Sequence, residues 1–119
     1  MKSLCVLAFL LCLSVVKPVT YEYLGCFKDR DPHSLPVMIA DFRQEPGFDW
    51  SNLKKTIQAC AEKAMEQKME YFALQFYGQC WSGPNAGETY ARDGPSSRCY
   101  KGVGRERVNA VYRVTDLPA

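Results

Sequence analysis

The side chains of this 119-residue chain best suited to chemistry are aromatic rings and amides. A sugar packs its C–H surface on the flat face of tryptophan or tyrosine, and nearby amides bond to its hydroxyls. The candidate groups are Trp50, Tyr77, Trp81 and Tyr90, with Gln75, Gln79 and Asn85 as polar neighbours. This set predicts a carbohydrate-binding surface centred on Tyr77 and Trp81. The alternative is that the same rings form a second small core beneath long loops.

The sequence offers little for catalysis or metal binding. Its one histidine, His33, lies in a turn between Pro32 and Ser34. A Cys–His nucleophile pair or a Cys/His zinc site needs free cysteines, and the four cysteines of the mature chain are predicted to be paired. Asp29 and Asp31 carry carboxylates that could ligate calcium, but their spacing matches no EF-hand loop. We therefore predict that the protein is not an enzyme and holds no cofactor and no metal.

The six cysteines divide into a leader group and a domain group. Cys5 and Cys12 lie in an apolar run of about a dozen residues behind Lys2, which is the pattern of a secretory signal peptide. The run is shorter than the ~20 apolar residues that span a bilayer. We predict a signal peptide over residues 1–20, cleaved between about 14 and 20. The protein is then secreted and extracellular, with no membrane insertion after the signal is removed.

The rest of the chain has the size of one domain, predicted over residues 21–115 with a short tail at 116–119. An even set of four cysteines in an oxidising compartment predicts two disulfides. These four are Cys26, Cys60, Cys80 and Cys99.

Charge gives only a weak indication of partners. The formal net charge of +2 is too small to indicate nucleic acid. The late basic residues form either a solvated face or a site for anionic glycans or acidic mineral-associated polymers. They are Arg98, Lys101, Arg105, Arg107 and Arg113.

Strand patterns open and close the predicted domain. Residues 21–27 alternate and are rich in aromatics, which predicts the first strand. Residues 108–114 alternate again and predict the last one. Between them, residues 35–50 carry two prolines and a glycine. That composition predicts a long loop with a short strand at 37–39.

The main helix is predicted within residues 52–69, where apolar side chains recur every three or four positions on one face. Either Ser51 or Thr56 is expected to cap its start. Residues 71–81 alternate and predict a single strand. The core-facing side chains of that strand are Phe72, Leu74 and Phe76, while Gln75, Tyr77 and Trp81 share the other face.

The helix and the strand give a physical reason for one disulfide. Cys60 lies on the apolar face of the helix, and Cys80 falls by alternation on the core face of the strand. A helix packed on this strand brings the two sulfurs together, which favours Cys60–Cys80 among the three possible pairings and leaves Cys26–Cys99. The predicted fold is α+β, with one main helix packed on a small antiparallel sheet.

Four segments of this chain resemble the WSC domain. They are residues 24–27, 56–60, 71–83 and 111–112. The stretch from 56 to 83 resembles the family pattern without gaps, in which a threonine-capped helix bearing a cysteine leads into a strand with a Cys-X-Cys motif. The resemblance covers about the whole mature chain and implies a module that binds carbohydrate or associates with cell walls.

The resemblance also implies that several family cysteines are missing, among them two that precede the position of Cys99. Ala64 stands where the helix usually has a second cysteine, and Ser82 replaces the second cysteine of the strand motif. Their joint loss is expected if these two positions pair with each other. Cys60 and Cys80 are then the surviving pair.

The predicted function is a secreted, non-enzymatic extracellular module whose partner is a polysaccharide or a glycoprotein. One alternative is a structural protein of an extracellular, skeletal or shell matrix. Another is a secreted venom-type effector, which predicts a protruding basic loop at Arg105 and Arg107. A polysaccharide binder predicts an exposed coplanar aromatic pair near Tyr77 and Trp81.

Overall fold

A computed structural model of the protein describes residues 17–118. The apolar run with Cys5 and Cys12 lies outside the described residues, so the signal peptide and its cleavage remain predictions. Within 17–118, no helix is long and apolar enough to cross a membrane.

A five-stranded antiparallel sheet forms the centre of the domain, in the order β1–β7–β3–β4–β2. Its strands are β1 (Tyr21–Lys28), β2 (Val37–Asp41), β3 (Tyr71–Gln75), β4 (Gln79–Ser82) and β7 (Val108–Val114). A separate hairpin is made by β5 (Cys99–Tyr100) and β6 (Val103–Gly104). The predicted first and last strands pair with each other, with Tyr21 opposite Val114 and Lys28 opposite Val108.

The main helix, α1 (Leu53–Glu66), covers one face of the sheet. Its apolar side chains share a core with Phe72, Leu74 and Tyr112. The buried apolar residues of α1 are Leu53, Ile57, Cys60, Ala61 and Ala64. The 3.6-residue periodicity of the sequence therefore selects the face that packs on the strands.

The start of α1 differs from the prediction. The helix begins at Leu53, after Asn52, whose side chain makes no capping hydrogen bond. The Ser51 hydroxyl donates instead to the Asp49 carboxylate at 2.6 Å. Thr56 is buried inside the helix. The prediction that Ser51 or Thr56 caps α1 is wrong, because Asp49 holds the first hydroxyl and the second belongs to the packed face.

Residues 71–81 form a hairpin and not the single predicted strand. The chain turns over residues 76–78, between β3 and β4. The register pairs Leu74 with Cys80, so both side chains still point to the same face, and the prediction for Cys80 holds. Phe76 lies in the turn and is 38% exposed, so its predicted place in the core is wrong.

Both disulfides have the predicted pairing. Cys60–Cys80 joins α1 to β4, and Cys26–Cys99 joins β1 to β5. The fold is α+β, with one main helix on a small antiparallel sheet, as predicted. The positions where the resemblance implied a missing bridge, Ala64 and Ser82, are both fully buried.

Loops cover the second face of the sheet. A second buried cluster there contains Leu35, Ala73 and Val111, together with Ala86 from the short helix α2 (Ala86–Thr89). Trp81 and Tyr90 pack against it. These two rings therefore belong to a second small core beneath loops, which was the alternative to their role in sugar binding.

The long loop over residues 35–50 contains β2, as predicted, and then a single 3-10 turn, Phe42–Gln44. The Phe42 N–H donates to the Gly78 carbonyl at 2.8 Å, which docks this turn on the β3–β4 hairpin. A Cβ on Gly78 would lie 2.7 Å from Arg43 Cγ, so only glycine permits the contact. The loop before α1 is therefore held beside the hairpin turn.

Candidate aromatic binding surface

An exposed aromatic surface forms where the loop before α1, the β3–β4 turn and the β5–β6 hairpin meet. The ring centroid of Tyr77 lies 5.1 Å from Trp50 and 6.5 Å from Tyr100. With Arg105, these rings line a shallow depression of about 380 Å³. Trp50 is 52% exposed and Tyr100 is 37% exposed. We call Trp50, Tyr77, Tyr100 and Arg105 the aromatic surface.

The backbone at this place is strained. Phe76, Tyr77 and Lys101 have positive φ angles of 48°, 69° and 49° without being glycine. A left-handed conformation costs a bulky residue about 1–2 kcal/mol, so it persists only where the surrounding structure fixes it. Here the N–H groups of Phe76 and Tyr77 donate to the carbonyls of Arg105 and Gly104, at 3.1 and 2.8 Å. Such conformations are enriched at functional sites, which supports a role for this surface.

Three cations lie against these rings. They are Arg43, Lys101 and Arg105. The Arg43 guanidinium carbon lies 4.5 Å from the ring centroid of Phe76. The Lys101 ammonium and the Arg105 guanidinium each lie 5.4 Å from the ring centroid of Tyr100. Cation–π contacts hold the positive groups at the rim of the surface without neutralising them.

The basic residues of the described chain differ in whether a carboxylate lies within ion-pair distance. Arg113 pairs with Glu22 and Glu70, and Arg107 pairs with Asp31. Arg43, Lys101 and Arg105, which lie at or beside the aromatic surface, form no ion pair with any carboxylate of residues 17–118. Their charge is therefore available to a ligand.

The predicted ligand residues do not come together. Tyr77 belongs to the aromatic surface and packs against the helix-side core. Trp81 packs against the second core, where its ring lies 4.4 Å from the His33 ring. Gln75 is buried and donates hydrogen bonds to two buried partners. The coplanar pair predicted near Tyr77 and Trp81 is not formed by these two rings, because Tyr77 lies in the hairpin turn and Trp81 lies on β4.

Asn85 and Tyr90 lie in a third place. The Tyr90 ring stacks on Tyr71 with centroids 5.7 Å apart. Asn85 is exposed and borders a depression of about 160 Å³ together with Tyr71. Glu70 also lines that depression, and its one aromatic residue, Tyr71, is less exposed than Trp50.

His33 lies at the partly exposed edge of a polar network that is centred on the buried carboxylate of Asp29. Its Nδ1 lies 2.6 Å from Asp29 Oδ2, while the Ser34 hydroxyl donates to Asp29 Oδ1 at 3.2 Å. The serine thus bonds to the carboxylate and not to the imidazole that a nucleophile needs as its base. Within residues 17–118, no group of three His, Cys, Asp or Glu side chains is placed to hold a metal ion.

The sequence does not predict Arg43 or Tyr100 as site residues, and it gives Trp50 only as one ring among several. One local signal for Tyr100 is the two-residue turn of Lys101 and Gly102, whose φ angles of 49° and 86° belong to a tight hairpin. That turn projects Tyr100 and Lys101 toward the rings. Their meeting with Trp50 depends on tertiary packing.

A family model described as the WSC domain matches residues 23–103. A comparison with curated proteins found no match. The matched range includes all four paired cysteines and the three rings of the aromatic surface. Because it spans more than half of the chain, this protein belongs to the WSC domain family.

Proposed function

We propose that this protein is a secreted extracellular module that binds a polysaccharide or the glycan of a glycoprotein through the aromatic surface. WSC domains are carbohydrate-binding-type extracellular modules without catalytic activity. The observation that carries the proposal is the trio of exposed Trp50, partly buried Tyr77 and exposed Tyr100 around one depression. Its edge is lined by cations that the described chain leaves unpaired.

The rings are set rigidly, which favours binding. Trp50 is held edge-on by Phe48 with centroids 5.1 Å apart and is tilted toward Tyr77 at the same separation. Tyr77 is fixed by the backbone bonds of the β3–β4 turn. A ligand that meets ordered rings does not have to immobilise them, so more of the contact energy appears as affinity.

Paired cysteines support an extracellular location. Disulfides persist in oxidising compartments, and both bridges of this domain join elements far apart in the chain. They also leave no free thiol among residues 17–118 for nucleophilic chemistry. The proposal is accordingly a binding module with no enzymatic role, no cofactor and no nucleic-acid partner.

Trp50→Ala is expected to weaken glycan binding at least about tenfold, because it removes the broadest exposed ring face of the surface. The thermal unfolding midpoint should change little, since half of the side chain is already in water. A glycan array identifies a ligand, and isothermal titration with that ligand then compares the wild type and the variant.

Trp81→Ala is the matched control. It removes the other tryptophan, which packs on the second core, so it should lower the unfolding midpoint and leave the affinity near the wild-type value. Loss of binding in Trp81→Ala, with binding retained in Trp50→Ala, would move the site to the other face. Failure of the folded wild type to bind any glycan on the array would overturn the proposed function.

A further inference from the structure

We infer that the glycan bound at the aromatic surface is anionic and carries sulfate or carboxylate groups. This inference rests on the proposed function and narrows it to one class of ligand. It follows from the charges around the rings, which a neutral sugar would leave unused.

Two depressions meet at Trp50. The first, of about 380 Å³, is lined by Trp50, Tyr77, Tyr100 and Arg105. The second, of about 200 Å³, lies at the start of α1 and includes Trp50, Lys54 and Lys101. A sugar ring stacked on Trp50 would therefore have a cation on each side, within reach of its substituents.

Neither of these two depressions is lined by a carboxylate. Three other depressions of the surface each include at least one: Glu45 in the first, Glu70 and Glu88 in the second, and Asp41 in the third. The protein as a whole has a formal net charge of only +2, so the excess of cations around Trp50 is local. A local field of one sign selects ligands of the opposite sign.

The acidic residue next to Trp50 in the sequence, Asp49, is hydrogen-bonded within its own loop. Its carboxylate accepts hydrogen bonds from the Ser51 hydroxyl at 2.6 Å and from the Ser51 N–H at 2.9 Å. The hydrogen bond from the Ser51 side chain is the main cause that lowers the pKa of Asp49. Neither Asp49 nor Glu106, the neighbour of Arg105 in the sequence, forms an ion pair with Lys101 or Arg105, so these cations remain open to a sulfate or carboxylate.

Arginine suits this task chemically. The guanidinium of Arg105 presents a planar fork of donors that matches the oxygens of a carboxylate or a sulfate. Its central carbon lies 5.4 Å from the centroid of the Tyr100 ring, and this contact limits the motion of the guanidinium. Ring stacking and charge-assisted bonds can thus act on the same sugar residue.

The test compares three hexasaccharides of equal length by isothermal titration: a sulfated heparin fragment, oligogalacturonate, and a neutral β-1,3-glucan. At least one anionic fragment should bind about tenfold more tightly than the neutral one, and its affinity should fall as salt rises from 50 to 500 mM. Equal affinity for the neutral glucan, or affinity insensitive to salt, overturns the inference and leaves the proposed function standing. If no glycan binds, both fail.

Two variants locate the charge effect. Arg105→Ala and Lys101→Asn should each lower the affinity for the anionic fragment about tenfold and leave binding of the neutral glucan unchanged. Asparagine tolerates the positive φ of position 101, so the hairpin turn is kept.

Arg107→Ala is the charge-matched control, because Arg107 shares the β6–β7 turn with Arg105 but pairs with Asp31 at 3.3 Å. It should change the affinity less than about twofold. An equal loss in Arg107→Ala would show that net charge decides binding and would overturn the inferred site. Tighter binding of a single-stranded oligonucleotide than of either anionic glycan would overturn it as well, since rings and cations also suit that ligand.

Discussion

Replacing Cys26 and Cys99 together by alanine is expected to lower the free energy of unfolding by about 4 kcal/mol. The bridge spans a sequence separation of 73 residues and ties β1 to the β5–β6 hairpin. Without it, the unfolded chain gains the conformational freedom that the long closed loop had removed. A loss of this size is a large part of the about 5–15 kcal/mol that stabilises a typical domain. Urea unfolding followed by tryptophan fluorescence measures it.

Replacing Cys60 and Cys80 by alanine is the matched comparison. Their bridge spans a separation of 20 residues. It should contribute about 3 kcal/mol on the same loop-closure reasoning. If the Cys60/Cys80 variant loses more free energy of unfolding than the Cys26/Cys99 variant, loop closure does not determine which bridge stabilises more. The complete burial of Cys60 and Cys80 then explains the larger loss.

The longer bridge also bears on binding. Cys99 immediately precedes Tyr100, so Cys26–Cys99 fixes the hairpin that carries one ring and one cation of the aromatic surface. Even at low temperature, where the double variant is still folded, its glycan affinity should fall below that of the Cys60/Cys80 variant. The Cys26–Cys99 disulfide would then both stabilise the fold and position the residues of the binding site.

The disulfide pairing was predictable because it depends on two local periodicities. The helix period placed Cys60 on the packed face, and strand alternation placed Cys80 opposite it. The error over the hairpin did not affect this result, since Leu74 pairs with Cys80 and cross-strand partners share a face. A prediction of which face a side chain points to stays correct when the misplaced turn leaves the alternation of faces unchanged.

The β3–β4 turn could not be predicted from the same patterns. Hairpin turns usually have asparagine or glycine where φ is positive, but in this three-residue turn the positions are occupied by Phe76 and Tyr77. The period-2 alternation of residues 71–81 continues through Phe76 and Tyr77, so the sequence pattern gives no sign of the turn. What stabilises it is a pair of hydrogen bonds to the carbonyls of Gly104 and Arg105, which are distant in sequence.

The candidate site was only partly predictable for the same reason. Trp50, Tyr77 and Tyr100 come from three segments that meet through tertiary packing. Gln75 and Trp81 have the composition of ligand groups, but the loop after β1 folds over them and uses them in the second core. Asp29 holds that loop in place by accepting hydrogen bonds from Ser34 and Gln75. In the sequence, Asp29 is only one of several acidic residues in turns.

Asp29→Ala is expected to lower the free energy of unfolding by about 3 kcal/mol. The carboxylate is only 4% exposed and accepts hydrogen bonds from the Ser34 N–H at 2.9 Å and from the Gln75 amide at 2.7 Å. Alanine leaves both donors buried without this partner, at about 1–3 kcal/mol for each donor that water cannot reach. Amide hydrogen exchange should show reduced protection at Ser34. Asp31→Ala is the control, because Asp31 is largely exposed and its pairing with Arg107 is a surface contact that contributes little.

Asp29→Ala also separates the two faces of the sheet functionally. The Asp29 network belongs to the face covered by loops, whereas the aromatic surface is supported by the core under α1. If the loop-covered face is structural, the variant measured below its unfolding transition should bind the glycan ligand with wild-type affinity despite its lower stability. If it stays stable but loses affinity, the ligand contacts His33 and Trp81, and the binding site lies on the loop-covered face. Glycan affinity and the free energy of unfolding must therefore be measured on the same preparation of the Asp29→Ala variant. If the free energy of unfolding falls and the affinity does not, the loop-covered face serves folding and the other face serves binding.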